Sequence, residues 1–297
     1  MQETRSSQIE LKNIPASRRN MDRLFKYACM FALIVATGML VVLLVKVAIN
    51  GAGRLSWQFL TSNGSRMASR AGVYPALIGS LWIVTIAGLV AVPIGVAAAI
   101  YLEEFQRRKT KLTHFIQLNI ANLAGVPSIV YGLLGLGIFV YVAGMGRSIL
   151  AGSLTMALLI LPTIILVSQE ALKAVPSSFR DGSMALGATR WQTIRKQVLP
   201  AALPSIYTGI ILSLSRAIGE TAPLITVGAA TYMSYAPSSP SEKFTVLPIQ
   251  IFSWVGRPQQ GFQDNAAAAI LVLLVVLLSL NSFAIILRSK AQARMKQ

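Results

Sequence analysis

Six stretches of this chain run for about twenty residues or more with almost no charge, which is enough for a helix to cross the hydrocarbon core of a bilayer. They are Ala28–Val45, about Pro75–Leu102, about Ile116–Ala143, Ser148–Ser168, about Leu203–Tyr232 and Ala266–Leu287. In lipid each backbone N–H and C=O must find its partner within the chain, so apolar runs of this length read as helices. The expected fold class is an all-α integral membrane protein with six transmembrane helices.

Composition closes off the other classes. The chain is 54% hydrophobic and 12% charged, where a soluble domain carries about 25% charged residues. A net charge of +17 would point to nucleic acid in a soluble protein. Here the Lys and Arg residues lie between the apolar runs, so membrane lipid is the expected partner and nucleic acid is not. Nineteen of them fall in Met1–Lys26, Glu103–His114, Glu170–Pro200 and Arg288–Gln297, against six in the alternate loops. That bias places both termini and the 170–200 segment in the cytoplasm. Cys29 is the only cysteine and sits inside the first apolar run, so no internal disulfide and no Cys/His metal cluster are expected. His114, the only histidine, lies beside a Lys-rich stretch and reads as a solvated interfacial residue. The basic segment 1–26 precedes a run long enough to span, which is unlike a cleaved signal peptide.

Several segments carry more than hydropathy. The third run is rich in small and polar residues, from Asn119 and Asn122 through Gly125, Pro127 and Ser128 to Gly137. Such a helix belongs inside a bundle. Its Gly125-Val126-Pro127-Ser128 interruption suits either close helix packing or backbone groups opened toward a cavity. Pro93 and Pro162 should kink the second and fourth runs. Trp57 and Phe59 suit a membrane interface. Val246–Phe252, in the loop Ala236–Gln263, suits a re-entrant or interfacial helix.

The fifth run contains Ser213-Leu-Ser-Arg216-Ala-Ile-Gly-Glu220-Thr221. Arg216 lies eleven residues beyond Ser205, roughly 17 Å at helical rise and near the bilayer midplane. A bare charge there costs several kcal/mol, so Arg216 and Glu220 must face each other, a partner or a watery cavity. Four residues apart, they would share one helix face. One reading is a self-neutralising pair that locks neighbouring helices. The other is an anion site, in which the guanidinium fork suits oxyanion oxygens and Glu220 orients it or accepts a proton from the oxyanion.

The loop Glu170–Pro200 has a distinct pattern. Small residues at Gly182, Ser183 and Ala185 would let a short helix sit closely in a groove of another protein. Gly187 allows a sharp turn, and Thr189 is a candidate N-cap for a second short helix through Lys196. Trp191, Ile194 and Val198 recur at helical spacing, with Arg190, Arg195 and Lys196 beside them.

Asp181-Gly-Ser, then Gly187, then Leu199-Pro200 resembles the signature loop of ABC-importer permeases, Glu-Ala-Ala, three residues, Gly, nine residues, Ile, one residue, Leu-Pro. Asp181 replaces the usual Glu and Gln197 the usual Ile. Arg216-Ala-x-Gly-Glu220 is similar to sulfate and molybdate permeases. The longer run Arg216–Leu224, with Asn122–Leu133 and Ala185–Ile194, resembles PstA-type phosphate permeases, over about Ala71 to the C-terminus. The first seventy residues are not diagnostic. The resemblance implies a MetI-like permease fold in the bacterial plasma (inner) membrane, with a basic segment 1–26, a first transmembrane helix within 27–49 and a five-helix core within 71–290. It implies half of an alternating-access pore for inorganic phosphate, paired with a PstC-type permease, two PstB-type ATPases and a PstS-type phosphate-binding protein. The substrate pathway would use Arg216, Glu220, Thr221, Ser213 and Ser128. The ATPases would dock on Asp181, Gly182, Ser183, Ala185, Gly187, Arg190, Leu199 and Pro200, within the coupling loop 170–200. The chain has no G-x-x-x-x-G-K-[ST] loop, so no cofactor is expected on it and ATP hydrolysis would fall to the partner subunit. The rival readings are a permease for sulfate or molybdate, an ATP-independent anion channel, a phosphate sensor and an intramembrane enzyme. The enzyme lacks a convergent nucleophile and base.

Overall fold

The computed structural model describes residues 16–106 and 110–295. Residues 1–15 of the basic N-terminal segment and the basic residues 107–109 lie outside the described residues. Two compact units divide after Asn50. The first is most of one helix, α1 (Ala16–Ala52), long and apolar enough to cross a membrane over Asn20–Ala52.

The second unit begins with α2 (Trp57–Thr61), a 3-10 turn at Ala68–Arg70, and α3 (Tyr74–Ile100), which a π-helical turn extends over Tyr101–Phe105. Helix α4 (Lys111–Ala124) and α5 (Ser128–Gly135) follow, with a second π-helical stretch at Leu136–Val142. Then come α6 (Ile149–Lys173), α7 (Ser177–Ala185) and α8 (Arg190–Thr193). Helix α8 runs through a third π turn, Ile194–Val198, straight into α9 (Leu199–Gly219). The chain ends with α10 (Ala222–Val227), α11 (Leu247–Val255) and α12 (Gln260–Met295).

Among the described residues five helices are each long and apolar enough to cross a membrane, and Lys111–Ala124 with Ser128–Val142, bent by 100° at a short break, has the length and composition of a sixth if the two pieces form one span rather than a re-entrant loop. The bend differs from the continuous Ile116–Ala143 span expected from hydropathy, and Pro127 explains it. Proline lacks an N–H and its ring clashes with the carbonyl four residues earlier, so the helix stops. That freed carbonyl belongs to Leu123. It accepts from the Val126 amide at 3.1 Å and from the Tyr131 hydroxyl at 2.9 Å, which staples α5 across the break.

The centre of the unit is the contact of α3 with α6. Ala87, Ala91, Gly95 and Ala99 recur every four residues along one buried stripe of α3. Small residues at that interval let two backbones approach closely. A Cβ at Gly95 would come within 2.7 Å of Ile164 Cγ2 on α6. Helix α9 packs on α6 and α12. Pro93, Pro162 and Pro204 all lie within helices.

Two loop segments close one end of the unit. Phe59, expected at an interface, is instead 3% exposed and packs at 6.0 Å between ring centroids against Trp254. Trp57 is the exposed member of that pair. Helix α11 covers the Val246–Phe252 segment and is buried on one face, with the Leu247 amide donating to Ser80 Oγ of α3 at 2.9 Å. The Ile149 and Leu150 amides at the start of α6 donate to the carbonyls of Glu242 and Pro240.

Candidate transport cavity and hairpin

Two interrupted helices meet around one cavity. The first interruption is Gly125–Pro127. The second follows Gly219, where the ring of Pro223 would clash with the carbonyl four residues before it and halts α9. Glu220 therefore caps α9 with an extended backbone (ψ 125) and lies outside the helix that carries Arg216. The expected helix through Tyr232 ends thirteen residues early as a regular element, and α10 supplies a short second piece. The two broken segments pack together at Gly132. A Cβ there would overlap Thr226 Oγ1 and reach within 2.6 Å of Pro223 Cα.

Between them lies a cavity of about 380 Å³, lined by Gly125–Ser128, Tyr131, Thr163, Ser213, Arg216 and Glu220 among others. Arg216 Nε stands 3.6 Å from Glu220 Oε1. The Arg216 side chain is 76% exposed and Glu220 is 22% exposed. The guanidinium thus keeps most of its donors turned into open space, and among the described residues Glu220 is its one ion-pair partner. The N-terminus of α5 also opens onto the cavity at Ser128, where unpaired backbone N–H groups carry partial positive charge. A cation, a helix N-terminus, hydroxyls and one acid fit a hydrated oxyanion.

Of the residues expected on the pathway, Arg216, Glu220, Ser213 and Ser128 line this cavity. Ser213 is buried and donates to the Gly209 carbonyl at 2.8 Å, leaving it an acceptor toward the cavity. Thr221 is placed elsewhere, at the start of α10 beyond the lining. Tyr131 and Thr163 were missed, because neither stands near a charge in sequence. The proline four residues before Tyr131 was the available signal.

The second site is the hairpin α7–α8. Gly187 has φ +83, a left-handed conformation that glycine adopts without steric cost. Thr189 caps α8 through a capping box, accepting from the Gln192 amide at 3.3 Å while the Gln192 side chain accepts from the Thr189 amide at 2.8 Å. Thr193 Oγ1 bonds Ser183 Oγ at 3.0 Å and pins the two helices together. The second helix does not stop at Lys196. It continues into α9, so Leu199 and Pro200 sit within a helical run, Pro200 in the first turn. Ile194 and Val198 are buried, while Trp191 is half-exposed and its ring lies 6.3 Å from that of Phe105. Asp181, Gly182, Ala185 and Gly187 are exposed, Ser183 and Arg190 partly so. Leu186 is 91% exposed beside a groove of about 460 Å³ that includes Phe179, Ser183 and Gln192.

The hairpin rests on the end of α3, a contact between residues 76 apart that no local spacing predicts. Arg180 Nε donates to both carboxylate oxygens of Glu104 at 3.2 Å. Its other nitrogens donate to the carbonyls of Val175 (2.8 Å) and Leu172 (2.9 Å). The Glu104 hydrogen bond holds the Arg180 guanidinium above its ordinary pKa, against the opposing effect of burial.

A bundle with two broken helices around a polar cavity and a basic hairpin at one end has the features of a transport permease. Residues 91–297 match the family described as "Binding-protein-dependent transport system inner membrane component", and the chain belongs to that family. It is a multi-pass protein of the plasma membrane. It is 33% identical over 267 residues to the probable ABC transporter permease protein YqgI of Bacillus subtilis (strain 168), covering 84% of this chain and 90% of that one. It is 35% identical over 228 residues to the phosphate transport system permease protein PstA 1 of Mycobacterium tuberculosis (strain H37Rv), covering 75% and 71%. Among solved structures, a bacterial ABC transporter involved in import of the acidic polysaccharide alginate superposes with a TM-score of 0.62 at 16% identity, covering 92% of this chain and 98% of that one. The inward-facing MetNI methionine ABC transporter gives 0.59 at 18%, covering 72% and 93%. Both share the MetI-like helical fold.

Proposed function

We propose that the chain is the permease subunit of an ATP-driven importer that carries inorganic phosphate into the cell by alternating access. The observation that carries this reading is the cavity, where Arg216, Glu220, Ser128 and Ser213 converge at two helix breaks. Arg216 would hold phosphate oxygens. Glu220 would accept from the hydroxyl of protonated phosphate, a donor that fully ionised sulfate lacks, so the acid favours phosphate over sulfate. The similarity to a phosphate transport permease supports the same cargo.

Arg216 is open on one side within the single chain, and a PstC-type permease would close it. Two PstB-type ATPases would dock on the hairpin from the cytoplasm, at Asp181–Ala185, Gly187, Arg190 and the groove beneath Leu186. ATP bound between them would push the hairpin and rock the bundle, with no ATP held by this chain. A PstS-type binding protein would deliver phosphate from outside. Both termini and the hairpin would then lie in the cytoplasm, as the basic residues favour.

The test is uptake of labelled phosphate into vesicles holding the complete complex, with sulfate and molybdate as competitors. Uptake that requires ATP and resists both competitors supports the proposal. Uptake without nucleotide would indicate a channel, and competition by sulfate or molybdate would reassign the cargo.

A further inference from the structure

Three consecutive residues at the end of α3 hold both helices of the hairpin and the end of α6 that leads into it. Glu103 pairs with Lys173, at the end of α6, at 3.6 Å. Glu104, with a side chain only 7% exposed, receives the Arg180 guanidinium of α7. The Phe105 carbonyl accepts from Arg190 Nη1 at 3.4 Å, and its ring lies 5.8 Å from the same guanidinium and 6.3 Å from the Trp191 ring. The exposed Leu186 and Phe179 remain free for a partner.

Helices α6 and α9 are joined to the hairpin by continuous chain, so they follow any push on it. Helix α3 is not, since Glu104 and Arg180 are 76 residues apart in sequence. It moves with the hairpin through its packing on α6 and through the side chains at its own end. Among these the Glu104–Arg180 pair is the most constrained: the fork engages both carboxylate oxygens, the Leu172 carbonyl at the end of α6 and the Val175 carbonyl just beyond it. The pair also resists separation, because parting leaves the buried Glu104 carboxylate without its partner. Helix α3 contributes no residue to the polar cavity. It packs along α6, which does contribute, through Thr163.

We propose that the Glu104–Arg180 pair is the tie through which displacement of the hairpin reaches α3. Both are positioning residues for energy coupling and touch neither the substrate nor the ATPases. The proposal rests on the reading of α7–α8 as the ATPase dock.

The experiment uses the complete complex in proteoliposomes, with E104Q and R180Q as variants. The ATPase subunits should co-purify at wild-type yield and hydrolyse ATP, while phosphate carried per ATP falls about tenfold or more. A covalent substitute provides the rescue. In a C29S background, which removes the only cysteine, E104C/R180C should be uncoupled until a bifunctional thiol reagent bridges the two positions. Hydrogen exchange supplies a readout independent of cargo. On adding ATP, the amides of Tyr101–Phe105 should change together with those of the hairpin in the wild type, and the hairpin alone should change in E104Q. An unchanged phosphate-to-ATP ratio in E104Q overturns the proposal, as does loss of the ATPases, which would make the pair part of the dock. A wild-type complex with no ATP-driven phosphate uptake refutes the transport reading instead, and the exchange measurement then decides the tie by itself.

Discussion

Gly132→Ala adds one methyl group where α5 crosses α10, and the structure leaves no room for it. The new Cβ would overlap Thr226 Oγ1 and stand 2.6 Å from Pro223 Cα and 2.8 Å from the Pro223 carbonyl oxygen. The threonine can turn away only by giving up its bond to that carbonyl, 2.8 Å long. The proline backbone cannot turn at all. Ordinary contact between non-bonded atoms begins near 3.5 Å, so α10 must withdraw by about 1 Å. Overpacking of this sort costs about 1–3 kcal/mol. Glu220 is two residues from the start of α10, and it shifts with that helix relative to Ser128 and Arg216. A displacement of about 1 Å in a binding constellation can cost around 10²-fold in rate. The expected result is a complex that assembles, melts a few degrees lower, and takes up phosphate ten- to a hundredfold more slowly, on the order of that estimate. Gly219→Ala is the matched control. It is the last residue of α9, next to Glu220, but a Cβ there meets nothing within 4 Å, so uptake should stay near wild type. Equal behaviour of the two variants in ATP-driven uptake would refute the packing argument.

Three further outcomes follow from the hairpin. Leu186→Asp places a charge on a side chain that is 91% exposed, so co-purification of the ATPases should fail while the melting temperature is unchanged. Gly187→Val forces a β-branched residue into φ +83, at about 1–2 kcal/mol, and should lower ATPase co-purification. Gly187→Asn tolerates that backbone and should retain it. Thr189→Ala removes the capping box, worth about 1 kcal/mol, and should speed hydrogen exchange at Arg190–Thr193 without affecting α9.

Much of the architecture was legible because hydropathy reports the solvent directly. The first, second, fourth and sixth apolar runs, the Gly187 turn and the Thr189 cap follow from local rules, and the structure places them where those rules predict. Geometry that depends on partners distant in sequence was not legible. The 100° bend at Gly125–Pro127 could be suspected from proline and glycine, but the close seating of Gly132 on Pro223 and Thr226, about 90 residues further on, could not. Arg216 and Glu220 were expected on one helix face by their spacing. They do meet, but through a helix end, because Pro223 stops α9 at Gly219. Phe59 carries no sign in its neighbours that Trp254 will cover it. Glu104 read as part of a short charged loop, and its arginine lies 76 residues away.

The central claim is that Arg216 binds the transported anion instead of bracing the fold. Its side chain is 76% exposed and its ion pair with Glu220 spans 3.6 Å. An exposed pair contributes about 0–1 kcal/mol, so Arg216→Gln should leave the complex assembled and its melting temperature within a degree or two of wild type on that estimate. The direct measurement is ATP-driven uptake of labelled phosphate by Arg216→Gln complexes matched to wild type for yield and melting temperature. Uptake reduced to the background of empty vesicles, in a complex of normal stability, is the predicted result. Normal uptake by Arg216→Gln, or loss of uptake only in step with loss of assembly, would contradict it and reduce Arg216 to a packing residue.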